Sequence, residues 1–364
     1  MSKNERGLRH DWWLTSQNLR RQRRVAAAAS RRKHQRAYQW QRSVRMRTSI
    51  IAVPKHLLAE TEEQRAKLHQ AIDSAFVILR QSNTRVRFDF SPVEKIFPGG
   101  MLVFLAYLEM LQLGYPRRVL VTVRPDSIAG QLLERFGLSG KLGLQPSSAP
   151  AHKSVVDWRY LTGTNADGEK IADLLNFYKD TVDAEIPEGL YDVLAEAFTN
   201  VRHHAFPSTL DLYEELKRWW LFARYVPPAG NQPGSLYIAV YDIGIGIQAS
   251  LRAKLTSREL VLQAGDKILS LISNEDSRML EQELLRHAVE HPRTSTGLPN
   301  RGLGLPEMKE FVMGTESGRF YILSGYAQYV CVASRGTSQV FPCSRSFAGT
   351  LILWSIPLRK KVAL

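Results

Sequence analysis

One short passage limits the folding of this chain more than any other. Residues Ser235–Asp242 read SLYIAVYD, and Asp242 is followed by Gly244 and Gly246 in the run DIGIG. The mostly apolar stretch predicts a buried strand that delivers a carboxylate at its end. The two glycines let the backbone turn sharply there and come close to a ligand. A carboxylate so placed can accept a hydrogen bond from an exocyclic amine in an apolar pocket, a contact that separates adenine from guanine.

A second passage, LAEAFTNVRHHAF, predicts a helix over Glu188–Ala205 with Pro187 at its start, where a missing N–H costs nothing. Leu190, Val193, Leu194, Ala197, Phe198 and Val201 repeat at helical spacing and define a core face. At about 100° per residue, Glu196, Asn200 and His203 share one narrow stripe beside that face. The asparagine is a neutral oxygen donor suited to Mg²⁺, which keeps waters and phosphate oxygens as its other ligands. The glutamate suits orienting or deprotonating an attacking water. A solvated helix face would carry the same residues, so this passage alone decides nothing.

Two further passages complete a set. In GLPNRGLGLPEMKEF, Gly302 and Gly304 precede a helix expected over Pro306–Phe311. Free N–H groups and the helix dipole favour phosphate there, and Arg301 adds positive charge. In FAGTLILWSIPL, Gly349 and Thr350 open a last buried strand, with the Thr350 hydroxyl expected beside the Asp242 carboxylate.

The order of these four passages resembles the GHKL ATP-binding family, over roughly Lys170–Leu358. The resemblance implies an α/β sandwich, a mixed sheet on one side and helices on the other, that binds ATP with Mg²⁺. By that resemblance Asn200 matches the Mg²⁺-binding asparagine and Asp242 the adenine-reading aspartate. Gly244, Gly246, Gly302 and Gly304 match the glycines around the nucleotide, and Gly349 and Thr350 the terminal box. Glu196 matches the general base of the hydrolysing and serine-kinase branches. The stretch EAFTNVRHHAF looks most like the anti-sigma-factor kinase branch, in which His204 matches the histidine four places after the asparagine.

Two departures from the minimal family stand out. About 55 residues separate Gly246 from Gly302, which implies a long ATP lid, about 248–300, with a charged helical region inside Ser257–His291. The stretch Pro207–Gly234 is also enlarged. A helix is expected there over Asp211–Trp220, and Trp219, Trp220, Phe222 and Tyr225 either form a contact surface or extend the core.

Ahead of this unit, residues 49–148 alternate strand and helix patterns: strands at Ser49–Val53, Arg85–Phe90 and Arg118–Val123, helices at Glu60–Arg80, Gly99–Leu113 and Ser127–Phe136. Gln145–Ala151 reads as a linker to the ATP-binding unit at 160–358. The segment VRFDFSPVEKIFPGGMLVFLAYLEMLQ resembles the central strand and helix of STAS domains. In the anti-sigma-antagonist members a partner kinase phosphorylates a serine at the turn before that helix. Here the turn reads Phe97–Pro98–Gly99–Gly100, with no hydroxyl, and Ser91 lies several residues earlier. The expected fold class is therefore α/β, a STAS-like α/β domain followed by a GHKL-type α/β sandwich.

Charge divides the chain differently. The net charge is +14. Residues 1–48 hold fourteen Lys or Arg against Glu5 and Asp11, so +12 sits there and about +2 on the other 316 residues. Trp12, Trp13, Tyr38 and Trp40 are interleaved with the arginines. This basic arm is expected to be helical on binding, and its partner to be nucleic acid or an acidic protein. No apolar run reaches the ~18 residues of a membrane span, and the first 48 residues are too charged for a signal peptide. Two cysteines, Cys331 and Cys343, without metal-ligand spacing suit a reducing, cytoplasmic setting.

The sequence thus points to a regulatory ATP-binding protein with partner surfaces, and to hydrolysis of ATP. A serine kinase acting on another chain and a non-hydrolysing ATP sensor are the alternatives. Histidine-kinase activity is disfavoured, since no helix pair bearing a phosphoacceptor histidine precedes the ATP-binding unit. His69, on the first amphipathic helix, reads as a surface or satisfied histidine.

Overall fold

A computed structural model of the chain describes residues 47–254, 277–291 and 304–360. The basic arm up to residue 46, most of the expected lid, and Arg301 and Gly302 lie outside them. The described residues form a mixed α/β structure.

The first unit is a small parallel layer. Strands β1 (Thr48–Ala52), β2 (Arg85–Asp89) and β3 (Val119–Thr122) lie side by side in that order, all parallel. Helix α1 (Glu62–Gln81) links the first pair, α2 (Pro98–Gly114) the second, and α3 (Ile128–Arg135) follows. The Ser127 hydroxyl caps α3 by accepting from the Gly130 N–H at 3.1 Å. Parallel pairing needs crossovers of a dozen residues or more, and the two helices supply them.

The second unit is built on a five-stranded sheet. Its strands are β4 (Trp158–Gly163), β5 (Trp219–Val226), β6 (Ser235–Asp242), β7 (Arg319–Val332) and β8 (Thr337–Pro357), in the order β7-β8-β6-β5-β4. Every pairing is antiparallel, where the resemblance implied a mixed sheet. Helices α4 (Gly168–Thr181), α5 (Leu190–Asn200), α6 (Ile247–Lys254), α7 (Ser277–Glu290) and α8 (Gly304–Met313) complete it.

The expected helix over Asp211–Trp220 is absent: Glu214–Leu216 makes one 3₁₀ turn, and Trp219 opens strand β5. The reason lies in two-sided burial. Trp219, Leu221 and Ala223 face α4, α5 and α8, while Trp220 and Phe222 face the first unit, so WWLFA lacks the polar alternation that marks a half-exposed strand. The aromatics of this stretch thus extend the core. Trp219 stacks on Phe198 at 3.9 Å between ring centres and donates Nε1–H to the Asn165 carbonyl at 2.9 Å.

The sheet's other face is covered by α2. This helix is apolar on all sides, as a helix between two layers must be. Met101–Ala106, Leu108, Met110 and Leu111 are buried, some toward the parallel strands and some toward Ala239, Tyr241, Leu351 and Leu353. Each fully buried Leu or Phe contributes about 1.5–3 kcal/mol, so one continuous apolar core joins the two units. The Pro98–Gly100 turn lies inside it. A Cβ at Gly99 would stand 2.9 Å from Leu353 Cδ2, and one at Gly100 2.3 Å from the Leu57 carbonyl carbon.

Polar contacts finish the seam. Glu109 of α2 accepts from Trp220 Nε1 at 3.3 Å. Buried Arg65 donates to the Ala59 carbonyl at 2.6 Å and to Gln328 Oε1 at 3.3 Å. Arg345 grips Asp73 with both guanidinium nitrogens. His69 is buried 6.0 Å from the Phe347 ring, and burial pushes its pKa down to about 4. The Gln145–Ala151 linker is anchored by Asp126, Glu134 and Gln131.

Candidate functional site

Strand β6 ends in the core at Asp242, which is 3% exposed. Its Oδ1 accepts the Gly244 N–H at 2.7 Å, and the Thr350 N–H also donates to the carboxylate. Thr350 reaches it because it is the register partner of Asp242 across β6 and β8. Burial outweighs both bonds and lifts the carboxyl to about 7. A group so poised is characteristic of functional sites.

Close backbone approach explains the glycines. A Cβ at Gly349, which has φ +76°, would lie 1.8 Å from the Asp242 carbonyl oxygen. One at Gly244 would lie 2.4 Å from the Ala205 carbonyl oxygen. That carbonyl ends a departure from the expected helix. After Asn200, α5 widens into a π turn over Val201–Ala205, and the Ala205 carbonyl accepts the Ile245 N–H at 2.9 Å. Single π turns are frequent at functional sites. This one fastens the Glu196–Asn200 helix to the glycine turn.

On α5, Asn200 Nδ2 is buried with no hydrogen-bond partner among the described residues. One turn earlier, burial raises the Glu196 pKa above the usual carboxylate range, and the charge of Glu307 on α8 raises it further. Gly304 starts α8 directly against Glu196: a Cβ there would meet Glu196 Oε1 at 2.2 Å. The rings of His203 and His204 are 6.2 Å apart within the π turn. The structure therefore connects Glu196, Asn200, Asp242, Gly244, Gly246, Gly304, Gly349 and Thr350 through successive contacts. Arg301 and Gly302 fall outside the described residues. Among those residues, no group of three His, Cys, Asp or Glu side chains gathers as a metal cluster.

Sequence reasoning missed three participants. Ser324 is fully buried, accepts the Ile247 N–H at 2.9 Å and donates to the Gly349 carbonyl at 3.2 Å, so it ties the two glycine turns together. The β7–β8 register slips at Ser324–Gly325, where the Glu281 carboxylate of α7 accepts the Tyr326 N–H at 3.2 Å. Glycine inside the strand pattern LSGY was the available signal for that bulge. Tyr241 donates its hydroxyl to the Ala348 carbonyl at 2.9 Å, bracing the Gly349 turn from behind. Glu307 is the third, visible in sequence only as an acid in the first turn of a helix. A cleft of about 580 Å³ lies elsewhere, along α1 beside Ser344 and Arg345.

Comparison with protein-family models, curated proteins and solved structures found no match. The functional reading accordingly stands on this chain's own residues.

Proposed function

We propose that the Asp242 site binds ATP with Mg²⁺ in the manner of the GHKL family and hydrolyses it. The observation that carries the reading is the buried Asp242 carboxylate, which has two backbone donors and, among the described residues, no cationic side chain to balance it. An exocyclic amine would supply the missing donor, and a protein keeps a buried carboxyl of this kind at a cost to stability. The residues fit the nucleotide in other respects. Gly244, Gly246 and Gly349 let the backbone close tightly around Asp242, and the orphan amide of Asn200 leaves its side chain free to turn its oxygen toward a cation. The first N–H groups of α8 would take phosphate oxygens.

Mg²⁺ supplies charge neutralisation on the phosphates when bound. Glu196, with its raised pKa, is the group to take a proton from the attacking water. Hydrolysis is favoured over phosphotransfer within the chain. The Pro98–Gly100 turn, where the STAS-like resemblance would put an acceptor, is buried against Leu353 and bears no hydroxyl. Ser91 is exposed but bound to Asp89, its hydroxyl donating at 2.7 Å.

Calorimetric titration of ATP with Mg²⁺ tests this. The parent should bind, Asp242→Ala should lose adenine selectivity and affinity, and Asn200→Ala should weaken only the Mg²⁺-dependent part. Equal ATP affinity in parent and Asp242→Ala would refute the assignment.

A further inference from the structure

Six arginines collect at the start of the small parallel sheet and on its exposed face. Arg47 precedes β1, Arg85 opens β2 and Arg118 precedes β3. Their backbones meet across the sheet: the Arg85 N–H donates to the Arg47 carbonyl, and the Val86 N–H to the Arg118 carbonyl, both at 2.8 Å. Arg85 is itself the register partner of Thr48, one residue after Arg47, so the three arginines gather at the starts of three adjacent strands. Exposed Arg80 ends α1 and exposed Arg117, at φ 63°, begins the approach to β3. Arg80 and Arg118 both act electrostatically on Tyr115, which places them together. Arg118 is held in place by the Thr84 carbonyl at 2.8 Å. Arg87 extends the group along the sheet, reaching Thr122 Oγ1 at 3.5 Å.

No carboxylate among the described residues pairs with any of the six. The one acid on these strands, Asp89, is taken by the Ser91 N–H and hydroxyl. Among the described residues the face is exposed along β1 and β2. Val86, Phe88, Val119 and Val121 point into the core, leaving Thr48, Ile50, Ala52, Arg85 and Arg87 exposed and Leu120 and Thr122 half-buried on the other side. Parallel sheets are ordinarily covered on both faces, so an exposed one calls for an occupant.

The charges select among occupants. Residues 1–46 are strongly basic, the same sign as this edge, so charge complementarity does not select that segment as the occupant. A protein partner is disfavoured as well, because interface centres are depleted of charge and the apolar side chains on the face are Ile50, 69% exposed, and half-buried Leu120. Arginine forks match phosphate oxygens, and their spacing suits a repeating polyanion. Ile50, the register partner of Arg87, offers an exposed apolar surface to unpaired bases.

We propose that the N-terminal edge and exposed face of the parallel sheet bind the phosphate backbone of single-stranded nucleic acid without base specificity. The test is fluorescence anisotropy of the full chain with a labelled single-stranded 20-mer between 50 and 200 mM salt. The parent is compared with Arg80→Gln/Arg85→Gln/Arg87→Gln and with a control, Arg319→Gln/Arg335→Gln/Lys360→Gln, that removes equal charge outside this sheet. Losing three phosphate contacts makes the slope of log affinity against log salt shallower by about 2, at ~0.7 per contact. At 50 mM salt the expected loss of affinity is about tenfold or more, with the thermal midpoint of the variant unchanged. The control should keep the parent's slope. Four results would overturn the proposal: a parent that does not bind, a test variant with the parent's slope, a control that loses as much as the test variant, or tighter binding of poly-glutamate or of a duplex than of the single strand.

Discussion

Replacing Asp242 by asparagine should make the nucleotide-free protein more stable, and only above a definable pH. The unfolded carboxyl releases its proton near 3.8, while the folded one keeps it to about 7. Below pH 3.8 both states are protonated and no penalty exists. Between those two values the folded chain holds the extra proton, so stability falls as pH rises. Above about 7 both are ionised and the penalty is complete. At 1.36 kcal/mol per pH unit, a carboxyl held some three units high costs about 4 kcal/mol, an upper value since water admitted to the pocket reduces it. Asparagine keeps an oxygen for the Gly244 N–H and carries no charge at any pH. Urea unfolding of parent and Asp242→Asn at pH 4.5 and pH 8 should show a lead for the variant of about 1 kcal/mol or less at the first. At the second, the variant should lead by about 2–4 kcal/mol. An equal pH dependence in both proteins would refute the reasoning, because the slope would then belong to other groups.

Two other outcomes follow from the geometry. Glu196→Gln should retain ATP affinity and lower steady-state phosphate release by about 10²-fold or more, with unchanged turnover showing that Glu196 only lines the start of α8. A fragment of residues 153–364 should aggregate or bind a hydrophobic dye, since removing α2 bares Trp220, Phe222, Tyr241, Leu351 and Leu353; a monomeric fragment with a cooperative melt would contradict the shared core.

Much of the first unit was legible by its period: Arg85–Asp89 alternates exposed and buried, and α1 follows helical spacing, while α2, apolar on all sides, was marked by its length and the Pro98–Gly100 break before it. The residues from Trp219 to Ala223 were not, because both faces of β5 are buried and burial on both sides erases the period. The strand β8 was read from Thr350 onward, yet it begins at Thr337. Its first half, with Gln339, Arg345 and Ser346 exposed, lacks the apolar run that announces its second half. At the site, Asp242 and its glycines were readable since each is demanded by local chain geometry. Ser324 and Tyr241 were not, since their roles arise from pairing across about 25 and 107 residues of chain. The π turn was hidden too. VRHHA is acceptable helix sequence, and only contact with the glycine turn widens it.

The placement of α2 between two sheets has a consequence for biosynthesis. Its first cover, the parallel layer, is complete by Thr122, but the second begins with Trp220 on β5 and is finished only by Leu351 and Leu353, roughly 240 residues after Gly114. At a synthesis rate of roughly 5–20 residues per second, the nascent chain carries an apolar helix with one flank unshielded for on the order of tens of seconds. The earlier half therefore cannot reach its final state on the ribosome by itself. It waits for the carboxyl-terminal hairpin, and through that interval a ribosome-associated chaperone has a defined target.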